Sequence, residues 1–269
     1  MKYIPAKKSL GQNFLKSQKA LFTMVEAGEV AVGDTVVEIG PGKGALTKVL
    51  LETGATVIAF EKDHRLIELL QGEFAEYMKN KKFFLYEKDV LDIDVRDYIL
   101  DPRLRKDDVT GSKDVTQKKY KLIANIPYYI TGEITRRFLT SEYKPTCMIL
   151  LVQKEVADRI VDAKESILSL SVKVFGTPKK VMIVKKEYFS PEPKVDSAII
   201  KISNIQNPFK NKKEELRFFE LIKKAFGQKR KKLNTTLKEY KEEIKGWEVV
   251  KDKRPEEIGV EEWKEIVGV

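Results

Sequence analysis

The tetrapeptide Asn125-Ile126-Pro127-Tyr128 places hydrogen-bond acceptors and an aromatic ring directly after a predicted strand at residues 121–124. An exocyclic amine on a nucleic-acid base is a poor nucleophile, because its lone pair is delocalised into the ring. The side-chain oxygen of Asn125 and the backbone carbonyl of Ile126 suit its two N–H bonds and would favour a more tetrahedral nitrogen. Pro127 would stiffen the turn, and Tyr128 would stack on the base. The motif predicts methyl transfer to such an amine, and a simple β-turn with an asparagine is the alternative.

A base inside a duplex or hairpin must be extruded before this chemistry, and a second aromatic side chain would hold its other face. Phe189, which comes directly before Ser190-Pro191-Glu192-Pro193, is the candidate for that second aromatic. Packing in the hydrophobic core is the alternative for both Tyr128 and Phe189.

A glycine-rich loop, Glu38-Ile39-Gly40-Pro41-Gly42-Lys43-Gly44-Ala45, lies between a predicted strand and a predicted helix. Its glycines let the backbone turn sharply and approach a ligand closely. Glu61 ends the next predicted strand, where a carboxylate can accept from both hydroxyls of a ribose, and Asp89 ends the third and suits an adenine amine. These residues indicate a nucleoside-containing cofactor. A glycine turn that binds nothing, a surface acid at Glu61 and a helix cap at Asp89 are the alternatives.

Two cofactor classes fit this loop. Gly40-x-Gly42-x-x-Ala45 matches the dinucleotide-binding pattern with alanine in third place. The same residues also match the loop of methyltransferases that use S-adenosylmethionine (SAM). Glu38 lies just before the loop, where an acid suits the sulfonium and ammonium of SAM but opposes a pyrophosphate. The loop therefore favours SAM, and a dinucleotide oxidoreductase stays open.

These side chains need a scaffold that brings strand ends together, and the first half of the chain predicts one. Apolar runs alternate with stretches of helical periodicity, which is typical of a parallel sheet covered by helices on both faces. Strands are predicted at 35–39, 56–60, 83–86, 121–124 and 147–152, with helices at 45–53 and 63–79. Ligands bind beyond the carboxyl ends of such strands, which is where Glu61, Asp89 and Asn125 fall.

The second half predicts a different organisation. Runs at 181–186 and 195–202 flank the proline-rich turn and predict an antiparallel hairpin at the edge of the sheet. Helices are predicted at 214–226, from near Lys229, and at 256–267. We therefore expect a catalytic domain at 1–203 and a small helical domain at 204–269, with a long exposed loop at 101–119.

Composition narrows the function classes. With one cysteine and one histidine, an internal disulfide and a Cys/His zinc site are excluded, and no metal is expected. Buried packing is expected for Cys147 and a surface position for His64. The chain has no apolar stretch long enough for a membrane helix and no apolar signal core at its N-terminus, so a cytoplasmic protein that does not bind membranes is expected.

The net charge of +10 is concentrated in one region. Residues 206–238 hold 11 Lys and Arg against 3 acids and are densest at Lys229-Arg230-Lys231-Lys232. Clustered positive charges bind the phosphates of nucleic acids, so this strip is expected to bind an RNA backbone. A solvated helix face is the alternative.

From about Lys8 to Leu237 the chain resembles the ribosomal RNA adenine N6-dimethyltransferases, which share a fold with the erythromycin-resistance methyltransferases. Five segments in the family's order carry the resemblance: Lys8-Ser9-Leu10-Gly11-Gln12-Asn13-Phe14-Leu15, Asn125-Ile126-Pro127-Tyr128-Tyr129-Ile130, Val152-Gln153-Lys154-Glu155-Val156-Ala157, Phe189-x-Pro191-x-Pro193-Lys194-Val195-Asp196-Ser197 and Ala225-Phe226-x-Gln228-Lys229-Arg230-Lys231-Lys232-Leu233.

The resemblance implies an α/β fold: a Rossmann-like SAM-dependent methyltransferase with a mostly parallel seven-stranded sheet, an antiparallel edge hairpin and a small C-terminal all-α domain. It implies that the segment at 8–15 closes over SAM. The implied cofactor-binding residues are Gln12, Asn13, Leu15, Glu38, Gly40, Gly42, Glu61, Lys62, Asp89, Val90 and Asn125. The implied catalytic residues are Asn125, Ile126, Pro127, Tyr128 and Phe189.

The segments at 153–157 and 225–233 resemble the branch that acts on small-subunit rRNA. That branch implies dimethylation of two adjacent adenosines in the 3′-terminal hairpin loop, with the immature small ribosomal subunit as partner. A monomer is expected because the sequence shows no coiled-coil heptads. Methylation of large-subunit rRNA, as in macrolide resistance, and a non-catalytic ribosome-assembly factor on the same scaffold are the alternatives.

Overall fold

The fold is built around a seven-stranded sheet. The computed structural model describes residues 4–101, 119–228 and 230–268. In these residues the strands are β1 (Phe14–Leu15), β2 (Thr35–Ile39), β3 (Thr56–Glu61), β4 (Phe83–Glu87), β5 (Lys121–Asn125), β6 (Met148–Gln153), β7 (Thr177–Val184), β8 (Phe189–Ser190) and β9 (Ser197–Ser203). The sheet has the order β4-β3-β2-β5-β6-β9-β7, and β1 pairs separately with β8.

The strand directions match the predicted scaffold. β2 to β6 are mutually parallel, whereas β9 runs antiparallel to both β6 and β7. The mostly parallel sheet with an antiparallel edge hairpin is therefore confirmed. β7 begins earlier than predicted, at Thr177, and the short strand β8 was not predicted.

Helices cover the sheet and form the C-terminal part of the chain. The α-helices are α1 (Gln18–Ala27), α2 (Ala45–Glu52), α3 (His64–Glu73), α4 (Ala75–Lys79), α5 (Val95–Ile99), α6 (Thr131–Thr140), α7 (Lys154–Val161), α8 (Ile167–Lys173), α9 (Lys212–Phe226), α10 (Leu233–Thr236), α11 (Trp247–Val250) and α12 (Val260–Val267). None of these described helices is both long and apolar enough to cross a membrane.

Two helix predictions are wrong in detail. The predicted helix at 63–79 is split between α3 and α4 at Phe74, which leaves helical geometry and is buried against Phe83 at a ring distance of 5.3 Å. The helix expected from near Lys229 begins at Leu233, a fully buried residue whose N–H donates to Lys253 O at 3.0 Å. The predicted loop at 101–119 and Lys229 itself lie outside the described residues, apart from the two ends of the loop.

Successive side chains of each strand point to opposite faces of the sheet, and they form two hydrophobic clusters, one on each face. Along β5, Leu122 and Ala124 belong to the first cluster and Ile123 to the second. Phe175, Phe218 and Trp263 also belong to the first cluster. The C-terminal helices therefore share a core with one sheet face, and the change from strand to helix follows the end of β9.

The N-terminal segment is tied to the segment before the proline-rich turn. In the β1–β8 pair, Phe14 lies opposite Ser190, and Leu15 lies opposite Phe189. The N–H of Lys16 also donates to Tyr188 O at 2.8 Å. These bonds carry residues 8–15 across the carboxyl ends of the central strands.

Replacing Gly44 by alanine is expected to lower the free energy of unfolding by about 2–4 kcal/mol. Gly44 has φ +82°, and a Cβ there would lie 2.5 Å from the ring of Phe74. Gly72→Ala is the matched control, since Gly72 lies in α3 with open space around it. The control should be neutral or stabilising by about 0.5–1 kcal/mol. Denaturant unfolding measures both, and equal effects would contradict this description of the loop.

Candidate active site

A cavity of about 550 Å³ lies at the carboxyl ends of β2, β3 and β5. This volume falls within the range of small-molecule sites. The predicted cofactor residues all line it: Gln12, Asn13, Leu15, Glu38, Gly40, Gly42, Glu61, Lys62, Asp89, Val90 and Asn125. Ile126, Pro127 and Tyr128 line it too. The structure brings these residues to one edge of the sheet, and their individual roles stay predictions.

Positive backbone angles shape the glycine loop. The φ angle is +63° at Gly40 and +61° at Gly42, a conformation that residues with a Cβ rarely adopt. The N–H of Gly40 donates to Phe60 O at 2.9 Å, which ties the loop to β3. A Cβ at Gly42 would lie 3.1 Å from the ring of Phe14. Because Gly42 has no side chain, the loop leaves room for Phe14 of the N-terminal segment.

Glu61 ends β3 with a carboxylate that is buried and firmly oriented. The residue is 6% exposed. Its two oxygens accept from the backbone N–H groups of Gly42 at 3.1 Å, Lys62 at 2.9 Å and Asp63 at 2.8 Å. Burial raises the pKa of Glu61, and these three donors oppose the rise. The carboxylate thus joins the glycine loop to the end of β3 while it lines the cavity.

Glu38 is a second buried carboxyl group in the cavity wall, 1% exposed. Burial raises its pKa to about 8; a hydrogen bond from Thr47 opposes this rise, and the charge of Glu61 adds to it. The hydroxyl of Thr47 donates to Glu38 Oε2 at 2.7 Å. Sequence reasoning missed Thr47. Its place in the first turn of α2, directly after the loop, was the available signal.

Asp89 and Lys62 form an ion pair at the rim of the cavity. Asp89 Oδ2 accepts from Lys62 Nζ at 2.6 Å, and Oδ1 accepts from the N–H of Leu91 at 3.0 Å. Burial alone would raise the pKa of Asp89, but the bonds from Lys62 and Leu91 outweigh it and lower the pKa overall. The helix-cap alternative for Asp89 therefore holds, and the same charged carboxylate still lines the cavity.

Asn125 is connected to the N-terminal segment. Its Nδ2 donates to the backbone oxygen of Asn13 at 3.2 Å. Gln12 Nε2 donates to Asp63 Oδ2 at 2.8 Å, close to the end of β3. Since Nδ2 is engaged, Oδ1 is the Asn125 atom suited to accept from a substrate.

Tyr128 is half-buried, and its hydroxyl group is fixed by a hydrogen bond. Its hydroxyl shares a 2.7 Å hydrogen bond with Ser197 Oγ, and Ser197 is fully buried. Burial raises the pKa of Tyr128, while the Ser197 bond opposes the rise. The hydroxyl of Tyr128 is therefore uncharged, and its ring has a fixed orientation at the cavity wall.

Phe189 is the predicted site residue that the structure does not bring into the cavity. Its side chain is 2% exposed and belongs to the same hydrophobic cluster as Leu15, its partner in the β1–β8 pair. Ser190 lines the cavity instead. The ring gains more from burial under the N-terminal segment than from the open cavity, so the core-packing alternative describes it here.

Residues 230–232, in the densest part of the basic strip, are exposed. Arg230 and Lys231 are solvent-exposed, whereas Lys232 Nζ lies 3.1 Å from Asp252 Oδ1. His64 is also exposed and lies 3.0 Å from Glu87, and Cys147 is buried, as expected for both.

Sheet order, glycine loop and buried acids at the strand ends define a Rossmann-like methyltransferase with a SAM site. The family model for ribosomal RNA adenine dimethylase matches residues 4–266, and the chain belongs to this family. The resemblance read from the sequence is thus confirmed, together with SAM as methyl donor.

Curated relatives and solved structures agree with this assignment. The chain is 37% identical to the ribosomal RNA small subunit methyltransferase A of Dehalococcoides mccartyi strain CBDB1, covering 98% of this chain and 88% of the relative. The Lactobacillus acidophilus protein of the same name is 36% identical, with coverage of 98% and 91%. A Plasmodium falciparum dimethyladenosine transferase superposes with a TM-score of 0.74 at 24% identity over 94% and 95% of the two chains. The 23S rRNA methyltransferase ErmE gives 0.72 at 20% identity over 95% and 98%.

Affinity for SAM is expected to rise with pH between about 6 and 7.5, by up to about tenfold per unit. Glu38, with its pKa near 8, is mostly protonated in this range. A cationic ligand stabilises the carboxylate, so binding lowers this pKa and releases a proton. Calorimetry in two buffers of different ionisation enthalpy measures both effects. Glu38→Gln should flatten the profile, and a wild-type affinity that falls or stays constant with pH would contradict the assignment.

Proposed function

We propose that the protein transfers methyl groups from SAM to the N6 amines of two adjacent adenosines in the 3′-terminal hairpin loop of small-subunit rRNA. The observation that carries the proposal is Asn125, fixed through Asn13 beside a cavity with a buried acidic edge. Relatives at 36–37% identity that are named small-subunit enzymes favour this rRNA over the large-subunit alternative. The fold does not separate the two, because the ErmE chain superposes nearly as well as the dimethyladenosine transferase.

The residues of the cavity fit SAM chemically. Glu61 offers a carboxylate for ribose hydroxyls, Asp89 an acceptor for the adenine amine, and Glu38 a group that ionises beside a cation. SAM supplies an electrophilic methyl group on a sulfonium. An ionisable acid at Glu38 suits the cation of SAM better than the anion of a pyrophosphate, which disfavours a dinucleotide.

The loop after β5 supplies the groups that would act on the target amine. Asn125 Oδ1 and the carbonyl of Ile126 accept hydrogen bonds from the two N–H groups of the target amine. These bonds localise the lone pair on the nitrogen. Tyr128, fixed by Ser197, provides a pre-oriented stacking face. Pre-orientation matters because acceptors already in place need no reorganisation during the reaction.

The exposed cations of the basic strip would bind phosphates of the rRNA, while the motif handles the base. The partner would be the small-subunit rRNA within an immature small ribosomal subunit. We propose a cytoplasmic enzyme that acts as a monomer.

Asn125→Ala is expected to lower kcat for methyl transfer to unmethylated small subunits by at least about a hundredfold. Some SAM binding should remain, because Glu61 and Asp89 are untouched. Asn80→Ala is the control, since Asn80 is an exposed asparagine at the end of α4. Transfer of labelled methyl groups and SAM calorimetry measure the two quantities. Full turnover in Asn125→Ala would refute the proposed role, and a wild type without turnover would refute the function.

Arg230→Ala and Lys231→Ala should each weaken rRNA binding and reduce the slope of log K against log salt by about 1. Lys232→Ala should have a smaller effect, because Asp252 already neutralises this lysine. Lys79→Ala, at the exposed end of α4, is the control. Binding titrations at several salt concentrations check this, and a larger loss for Lys232 than for Arg230 would contradict it.

A further inference from the structure

Tyr129 has a large aromatic side chain that lines the cavity and is exposed to solvent. It lies in the short 3₁₀ turn Tyr128–Ile130, directly after the motif. It is 65% exposed, the largest exposed fraction among the aromatic side chains that line the cavity in the described residues. Core packing does not account for this position, since a buried tyrosine would gain more from the hydrophobic effect.

The ring of Tyr129 packs against the N-terminal segment at Gly11. A Cβ on Gly11 would lie 3.1 Å from Cε1 and 3.2 Å from Cδ1 of the ring, and 3.5 Å from Cβ of Pro127. Gly11 also has φ +60°. The bare glycine backbone therefore allows the segment to come into direct contact with the loop after β5.

Tyr129 and the Lys62–Asp89 ion pair line the same cavity. The pKa of Lys62 is raised mainly by its hydrogen bond and charge interaction with Asp89, and further by Tyr129. Tyr129 therefore approaches Gly11 of the N-terminal segment and lines the same cavity as Lys62 and Asp89.

The other contacts of the N-terminal segment named above are hydrogen bonds or involve residues from Phe14 onward. Gln12 bonds to Asp63 and the carbonyl of Asn13 to Asn125, while the β1–β8 pair begins at Phe14. The contact between Tyr129 and Gly11 is an apolar one between the segment and the rim. Opening the segment at this point would expose the cavity, which residues 10–13 line.

We propose that Tyr129 is a positioning residue that latches the segment at residues 10–13 over the cofactor end of the cavity and thereby sets the residence time of SAM. The inference rests on the proposed function. Since the contact uses ring carbons, Tyr129→Phe keeps it and Tyr129→Ala removes it. Phe22, an aromatic residue of α1 that is 54% exposed and lies outside the cavity lining, provides the control Phe22→Ala.

The test measures dissociation of radiolabelled SAM from the purified full chain after a chase with unlabelled SAM. Tyr129→Ala should release SAM about five- to tenfold faster, with a matching rise in KM for SAM and little change in kcat. Tyr129→Phe and Phe22→Ala should release it at the wild-type rate. Thermal unfolding of each variant confirms that the protein is folded, because an exposed side chain contributes little to stability.

A double-mutant cycle with Gly11 makes the test specific. Gly11→Ala adds a methyl group against the ring and should also speed release. The part of its effect that comes from the ring should disappear in the Tyr129→Ala background, whereas the part that comes from the φ of +60° should remain. Wild-type release rates in Tyr129→Ala would overturn the latch. A rise in KM for rRNA with unchanged SAM release would overturn it as well and identify the ring as an RNA contact. A wild type that does not bind SAM would instead refute the proposed function.

Discussion

Two carboxyl groups buried at the ends of neighbouring parallel strands are the constraint on which the site depends. Glu38 and Glu61 are 1% and 6% exposed, and a desolvated negative charge is costly unless it is compensated. Three backbone N–H groups compensate Glu61, whereas Glu38 has the Thr47 hydroxyl and stays protonated up to about pH 8. A cation in the cavity would favour the charged form of Glu38, so we expect the acidic edge to favour a positively charged ligand.

The N-terminal segment connects this acidic edge to the side-chain amide of Asn125. It crosses the glycine loop through Phe14, reaches Asp63 through Gln12, and presents the carbonyl of Asn13 to Asn125. A disturbance of the segment therefore changes the cofactor wall and the orientation of Asn125 together. Phe189 is buried under the same segment, so of the two predicted stacking residues Tyr128 is the one that lines the cavity.

The sequence was sufficient for the parallel strands of the sheet and for most of the cavity wall. Strand runs such as 35–39 end at glycine, acid or asparagine, and in a parallel sheet those ends meet at one edge, so Glu61, Asp89 and Asn125 had to converge. The interior of α3–α4 was less predictable, because the break at Phe74 comes from packing against Phe83 in a distant strand. The burial of Phe189 and the contacts of Thr47, Gln12 and Tyr129 also depend on long-range approach. No local periodicity encodes such contacts.

The central claim is tested most directly by mapping dimethyladenosine by mass spectrometry after purified protein and SAM are incubated with ribosomal subunits that lack the modification. The account predicts two adjacent dimethylated adenosines in the 3′-terminal hairpin loop of the small-subunit rRNA and none in the large-subunit rRNA. Unmodified small subunits, or modification confined to the large subunit, would contradict it.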